Sequence, residues 1–433
     1  MEIKRDVYLD RLIVRKHNGL IKVITGIRRS GKSYLLNTLF YRHLIAENIS
    51  EDHIIKFAFD SAEDLLKIGE DPIVLDNEKE DRKVDPSKFI NWLMPQIKGD
   101  GMYYLLLDEV QKLGAFESVL NGFLRRENLD VYVTGSNSKF LSKDILTEFR
   151  GRGDEVHVLP LSFSEYYTFK QGDKSEAYDD YSVYGGLPAV ALMVTEEQKT
   201  NYLISQMQNL YLRDIVNRYA VQDETALGEV IDIIASGIST LMNPRKIANT
   251  MTTIHGTKTC DATVDRYIGY AEEAFILTRV KRYNVKGRKY IGTPYKIYFE
   301  DVGLRNARLS FRQIEGTHMM ENIIYNELRY RGYQVDVGTV ESREKDSSGK
   351  EIRVQREIDF IASLGSKKYY IQSAYAIPDQ EKYEQETKSF EHTMDSFKKI
   401  IIVEKSMKPR YDEHGYLMMG VKEFLLDANS LLI

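Results

Sequence analysis

The sequence predicts an α/β protein in four consecutive segments. These are a P-loop parallel-sheet core (1–165), a helical lid (166–219), a winged-helix module (220–310) and a C-terminal α/β domain (311–433). Three observations predict it. Short apolar runs alternate with helix-spaced patterns through the first third, as in a parallel sheet covered by helices. The segment Gly26-Ile27-Arg28-Arg29-Ser30-Gly31-Lys32-Ser33 is a full G-x-x-x-x-G-K-[ST] match at a strand-to-helix junction. Strand-like runs then recede until after residue 311, with mostly helical patterns between.

The elements follow in order. Residues 1–19 read as a basic amphipathic lead-in helix or arm. Leu20, Ile21, Val23 and Ile24 are a buried-strand run, and Tyr34, Leu35, Leu36, Leu39 and Phe40 recur with helical spacing. The glycine loop therefore opens a helix N-terminus, where backbone N–H groups and the dipole favour anions. A second strand is expected over 54–59, and 60–86 reads as a charged surface excursion. A helix over 89–97 leads into a strand at 103–107 that ends on Asp108-Glu109. A helix over 116–124, a strand at 131–134 ending on Gly135-Ser136-Asn137-Ser138, and a strand at 156–159 complete the core. Ligands bind such sheets beyond the carboxyl ends of the strands. Ser30–Ser33, Asp108–Glu109 and Ser136–Asn137 all lie there.

Residues 162–218 are helical, punctuated by Gly185-Gly186-Leu187-Pro188. Short helices starting at Pro244 and Thr263, then strands at 280–283 and 295–299 around a charged turn near Lys286–Lys289, give helix–turn–helix and wing. A helix over 319–331 and strands at 333–337, 357–362, 369–376 and 400–403 make the last α/β segment. Residues 344–350 are its most loop-like stretch.

Composition bounds the rest. At 433 residues the chain is too long for one ordinary core. Its 42% hydrophobic and 29% charged residues describe a soluble globular protein, and a net charge of −5 places any nucleic-acid contact on a local basic surface. One cysteine, Cys260, excludes a disulfide framework and a cysteine zinc site. No apolar run reaches the ~18 residues of a membrane span, so no membrane partner is expected. The N-terminus lacks the apolar run of a signal peptide, and the expected compartment is the cytoplasm.

The motif assigns roles. ATP phosphates are expected along Gly26, Arg28, Arg29, Ser30, Gly31, Lys32, Ser33 and Tyr34, with Lys32 reaching the β- and γ-phosphates. Ser33 and Asp108 are the expected ligands of Mg²⁺, which keeps waters and phosphate oxygens in its shell. Glu109 is the candidate base for the attacking water. Ser136 or Asn137 is a candidate to sense the γ-phosphate or position water; a plain strand-to-loop turn is the alternative. Arg150 and Arg152 are candidate arginine fingers, in cis or from another subunit, against a surface basic cluster.

Taken together, GIRRSGKS (26–33), LLLDEVQKL (105–113), VYVTGSNSKFLS (131–142), FRGRGDEVHVLPLSFSEYY (149–167), GGLPAV (185–190), YLRDIV (211–216), VDRYIGYAEEAFIL (264–277) and GVKEFLLD (420–427) resemble the prokaryotic AAA+-type ATPases with a C-terminal domain of unknown function. The resemblance spans most of the chain in order. It implies an ATPase, and a C-terminal domain that is restriction-endonuclease-like. Such nucleases hold Mg²⁺ with an aspartate and a glutamate, with a lysine two residues after the glutamate. Here the matching positions are Glu321, Asp359, Gln372 and, at the lysine place, Ala374. Alanine cannot stabilise an activated water, so a catalytically inactive site is expected. The winged helix is weighed between DNA contact, through Arg245, Lys246, Lys258, Arg266, Lys281, Arg282 and 286–289, and protein contact. The leading expectation is a slow, Mg²⁺-dependent ATPase acting as a nucleotide-driven switch that changes the relation between the core and the winged-helix and C-terminal modules, with DNA, a protein or further copies of the chain as candidate partners. Its rivals are a DNA-binding or interaction protein with regulatory ATP, and an ATP-gated nuclease.

Overall fold

The computed structural model describes residues 2–75, 82–135, 151–256, 258–345 and 350–433. The described chain forms two compact units: 2–159 with 273–275, and 160–272 with 276–433.

The first unit is a five-stranded, all-parallel sheet in the order β2-β3-β4-β1-β5, where β1 is Ile21–Thr25, β2 Ile54–Ala58, β3 Tyr103–Asp108, β4 Leu129–Thr134 and β5 Gly153–His157. β1, β3 and β4 are buried along their whole length; β3 reads as an unbroken apolar or aromatic run up to Asp108, whereas β1 and β4 each bury one charged residue, Lys22 and Asp130. Phe57, Phe59, Leu65, Phe89, Leu93, Leu105, Leu107 and Leu120 pack one contiguous core. On the opposite face of the sheet Lys22 is paired with Asp130, whose other oxygen accepts from Tyr132 at 3.0 Å. The lead-in is helix α1 (Asp6–Ile13), with Tyr8 and Leu12 buried. The loop after β1 opens α2 (Lys32–Tyr34), which runs through a π-helical stretch (Leu35–Phe40) into α3 (Tyr41–Ala46). The last strand begins three residues earlier than the sequence suggests, because its polar start, Gly153–Glu155, pairs with Ile21–Val23.

The second unit starts with a helical stretch. Here α4 (Phe163–Lys170) opens with a reciprocal cap between Ser162 and Glu165, and α5 (Lys174–Tyr184) ends at Gly185. The GGLP step is fixed by close approach. A Cβ on Gly185 would lie 2.3 Å from the Asp301 carboxylate, and one on Gly186 would lie 2.3 Å from the Leu161 carbonyl. Asp301 accepts from the Gly186 N–H at 2.7 Å and from the Leu304 N–H at 3.0 Å, so one buried carboxylate ties the motif to the helix Val302–Arg308.

An eight-stranded sheet follows, in the order β12-β13-β11-β10-β9-β8-β6-β7. Its strands are β6 (Leu277–Asn284), β7 (Lys289–Phe299), β8 (Gln334–Lys345), β9 (Glu351–Leu364), β10 (Lys367–Ala374), β11 (Lys398–Val403), β12 (Arg410–Tyr411) and β13 (Leu417–Gly420). β6 and β7 are antiparallel, as a wing would be, but β6 also pairs in parallel with β8 from Arg282↔Val337 to Asn284↔Thr339. The boundary expected near 310 therefore falls within one continuous sheet. Parallel pairing across some fifty residues leaves no mark on local periodicity, so the sequence could not show it. β8 and β9 form a long hairpin that absorbs both flanks of the expected loop at 344–350.

Candidate nucleotide site

The glycine loop sits at the carboxyl end of β1. Gly26 has φ of 132°, and a Cβ there would meet the Val158 carbonyl oxygen at 2.2 Å. Val158 continues the β5 pairing by donating to the Thr25 carbonyl at 2.8 Å, so only glycine fits. Gly31 (φ 94°) and Arg29 (φ 63°) also adopt left-handed backbone, which curls the chain into its cradle. Lys32 is buried, with Nζ donating to the Gly26 and Ile27 carbonyls at 3.0 Å each. The Ser30 hydroxyl is fully buried and has no hydrogen-bond partner among the described residues. Arg28 is half-buried and Arg29 exposed. Tyr34 points away, donating to Glu2 at 2.6 Å, and burial raises its hydroxyl to about 12.

Asp108 ends β3 and gathers three donors. Ser33 Oγ donates to Oδ1 at 3.1 Å, Asn37 Nδ2 to Oδ2 at 3.0 Å, and Thr134, from the end of β4, also donates to Oδ1. Burial pushes the Asp108 carboxyl above its ordinary range, while the Thr134 and Ser33 hydrogen bonds pull the other way. Glu109 turns out of the strand with φ of 50°, its N–H donating to Thr134 Oγ1 at 3.0 Å, and Gln111 donates to its carboxylate. Thus Lys32, Ser33, Asp108 and Glu109 are gathered at one end of the sheet. Ser136, Asn137 and Arg150 lie outside the described residues. Arg152 does not join the cluster within this chain: its carbonyl accepts from Ile21 N–H at the other end of β1, roughly 15 Å away by strand rise.

The sequence reading missed three supports. Thr134 was visible as a polar residue closing an apolar strand, and Asn37 as an amide on the helix after the loop. Arg5 was hidden in the basic lead-in. It is buried, and its guanidinium donates to the Ser30 carbonyl at 3.0 Å and the Leu159 carbonyl at 2.6 Å, bracing the glycine loop from behind.

A second polar cluster lies inside the other unit, and it brings together the expected nuclease positions. Glu321, on the helix Gly316–Tyr330, and Asp359, on β9, both contact Lys296 Nζ from β7, at 2.8 and 3.1 Å. Glu357 contacts it at 2.7 Å, and Tyr298 donates to Glu321 at 2.6 Å. Asp359 also accepts from the Ser373 N–H at 2.9 Å. The β9–β10 register, one step beyond Ile371↔Phe360, sets Gln372 opposite Asp359 on the same face. Lys296 was the overlooked residue; its signal was a lone cation within the apolar strand Tyr295–Phe299. In the winged-helix segment the structure alters one reading: Arg282 is buried, with Nη1 near Gln355 at 3.5 Å, so it is not a surface phosphate contact.

Residues 18–167 match a family described as an AAA domain, and residues 175–315 match a domain of unknown function. An uncharacterized protein of Haemophilus influenzae is 34% identical over 410 residues, covering 93% of this chain and 94% of its own. The uncharacterized protein MJ1544 of Methanocaldococcus jannaschii is 26% identical over 446 residues, covering 98% and 89%. Among solved structures, the Aeropyrum pernix ORC2 protein (ADPNP–ADP complexes) aligns over 63% of this chain and 84% of its own at 12% identity, with a TM-score of 0.33. The Aeropyrum pernix ORC1 protein in complex with DNA aligns over 71% and 92%, also at 12% identity, with a TM-score of 0.27. Likeness at that level carries no functional argument. Among the described residues no helix is long and apolar enough to cross a membrane. With the Haemophilus influenzae match spanning nearly all of both chains, this chain belongs to the family of that protein and carries an AAA domain within it.

Proposed function

We propose that the first unit binds Mg²⁺-ATP, hydrolyses it slowly, and acts as a nucleotide-driven switch. The observation that carries this reading is the Ser33–Asp108 contact of 3.1 Å beside the glycine loop. A hydroxyl and a carboxylate held together next to a phosphate cradle are the donor set Mg²⁺ takes with a nucleotide. The unpartnered Ser30 hydroxyl and the glycine-only position at Gly26 fit a loop built for close approach of phosphates. Bound Mg²⁺ would neutralise phosphate charge and polarise the γ-phosphoryl group.

The chain's own groups do the rest. Lys32 exchanges its two loop carbonyls for phosphate oxygens. Asp108 stays an acceptor because Asn37 and Thr134 hold it. Glu109 takes the proton of the attacking water as the bond from the γ-phosphorus to its bridging oxygen breaks, leaving ADP and phosphate. Arg150 or Arg152 would serve from a neighbouring copy, a role that for Arg152 agrees with its distance from the loop in its own chain. Lys32→Ala and Asp108→Ala are each expected to abolish turnover. Glu109→Gln is expected to retain ATP while turnover stops. Normal hydrolysis in the first two would sink the assignment.

A second reading concerns what the switch touches. The wing tip exposes Lys286, Arg288 and Lys289, which favours phosphate contact there. The helix Asp261–Glu273, which would enter a groove, carries Asp261, Asp265, Glu272 and Glu273 against Arg266; Arg279 from β6 pairs with Asp265 and Glu272, and the helix still lacks the basic excess that phosphate contact needs, which favours a protein partner instead. Salt-dependent DNA binding lost in Arg288→Ala with Lys289→Ala would select the wing; salt-insensitive or absent binding would select protein contact.

A further inference from the structure

We propose that Lys296 is a built-in cation that occupies the place of a divalent metal between Glu321, Glu357 and Asp359, and so closes that pocket to metal chemistry. One ammonium meets three carboxylates from a helix and a strand, at 2.8, 2.7 and 3.1 Å. The lysine side chain is 3% exposed, so no solvent cation can share the position without displacing it. Lone surface lysines do not behave this way. The geometry around Nζ is that of a central ion with a converging oxygen shell.

A second, independent observation points to the same pocket. Gln372 is 9% exposed, lies opposite Asp359 by register, and its Oε1 is buried with no hydrogen-bond partner among the described residues. Its Nε2 is spent on Glu386 at 3.2 Å. A buried amide oxygen left over on the carboxylate face is an acceptor that no donor meets, beside the one cation the cluster holds. Meanwhile, among the described residues no three His, Cys, Asp or Glu side chains are spaced to hold a metal ion as they stand. The oxygens are spread to ammonium distances of about 2.7–3.1 Å rather than the roughly 2.0–2.6 Å of Mg²⁺ or Ca²⁺.

The test uses the full chain without nucleotide and follows Mn²⁺ by electron paramagnetic resonance. Wild type is expected to take no Mn²⁺ that depends on Asp359, whereas Lys296→Met is expected to gain such binding at least tenfold over wild type. Adding Asp359→Asn to Lys296→Met should remove it. Asp359-dependent Mn²⁺ in wild type, or a folded Lys296→Met that gains none, would overturn the proposal. Should Lys296→Met not fold even with Mn²⁺, the ¹⁵N-lysine spectrum of wild type decides. A slowly exchanging ammonium that persists when Mg²⁺ is added supports the built-in cation; its displacement by Mg²⁺ overturns it.

Discussion

Two carboxylate clusters, one in each unit, solve the problem of buried negative charge in opposite ways. Asp108 is surrounded by neutral donors, the Ser33 and Thr134 hydroxyls and the Asn37 amide, and among the described residues no lysine or arginine pairs with it. Glu321 and Asp359 share a lysine that is itself buried. On the proposed function, the first arrangement keeps a charge in reserve for a ligand that brings its own cation. The second carries its own cation within the chain, Lys296. A site that must bind something is left short of a partner, and a site that must hold a fold is not.

Substitutions can break that comparison. The largest expected effect is on activity: Asp108→Asn should lower ATP turnover by at least about 10³-fold, on the scale of lost transition-state charge stabilisation, while Tm stays level or rises, since a carboxyl costly to bury has been neutralised. Steady-state ATPase assays and calorimetry on one preparation check both halves. The mirror image is Lys296→Met, expected to cost about 3–5 kcal/mol of stability in metal-free buffer while leaving ATP affinity of the first unit unchanged. Denaturant unfolding and nucleotide titration separate these outcomes; lost affinity with retained stability would reverse the assignment of the two clusters.

Smaller effects sharpen the picture of the loop. Gly26→Ala forces a Cβ against the Val158 carbonyl and should cost about 2 kcal/mol or more, with ATP binding lost alongside. Arg5 acts through the loop rather than on phosphate. Arg5→Ala should raise KM for ATP several-fold with kcat less affected, and Arg5→Lys should restore part of the affinity. A fall in kcat at constant KM would contradict the bracing role.

The smallest effect is a pH slope. Burial raises the Asp301 carboxyl from 3.8 to about 6, against hydrogen bonds from Gly186, Leu304 and other backbone N–H groups. The folded state thus binds an extra proton between about pH 4 and 6. That contribution to stability is full below pH 4 and is lost as pH rises through 6. Asp301→Asn should lower Tm overall but flatten its decline across this window; an unchanged slope would assign the decline to other groups.

The glycine loop, Lys32, Ser33, Asp108 and Glu109 were legible in the sequence because their chemistry needs fixed residue types at fixed spacing on a strand-to-helix turn. The core strands were legible because full burial leaves unbroken apolar runs, as in Tyr103–Asp108. Arg5 was not, since its partner carbonyls at Ser30 and Leu159 are backbone atoms that any residue would supply. The pairing of β6 with β8 was not, since register between distant strands is set by three-dimensional packing. Lys296 lay between: a cation among Tyr295, Ile297 and Tyr298 signalled a buried pair, but not which acids would meet it.

The contrast between the two clusters meets its most direct test in the number of Mn²⁺ ions the wild-type chain holds with and without ATP, counted by electron paramagnetic resonance. We expect one Mn²⁺ per chain with ATP, absent without it and absent in Asp108→Asn. A nucleotide-independent Mn²⁺ that survives Asp108→Asn and disappears in Asp359→Asn would contradict the account.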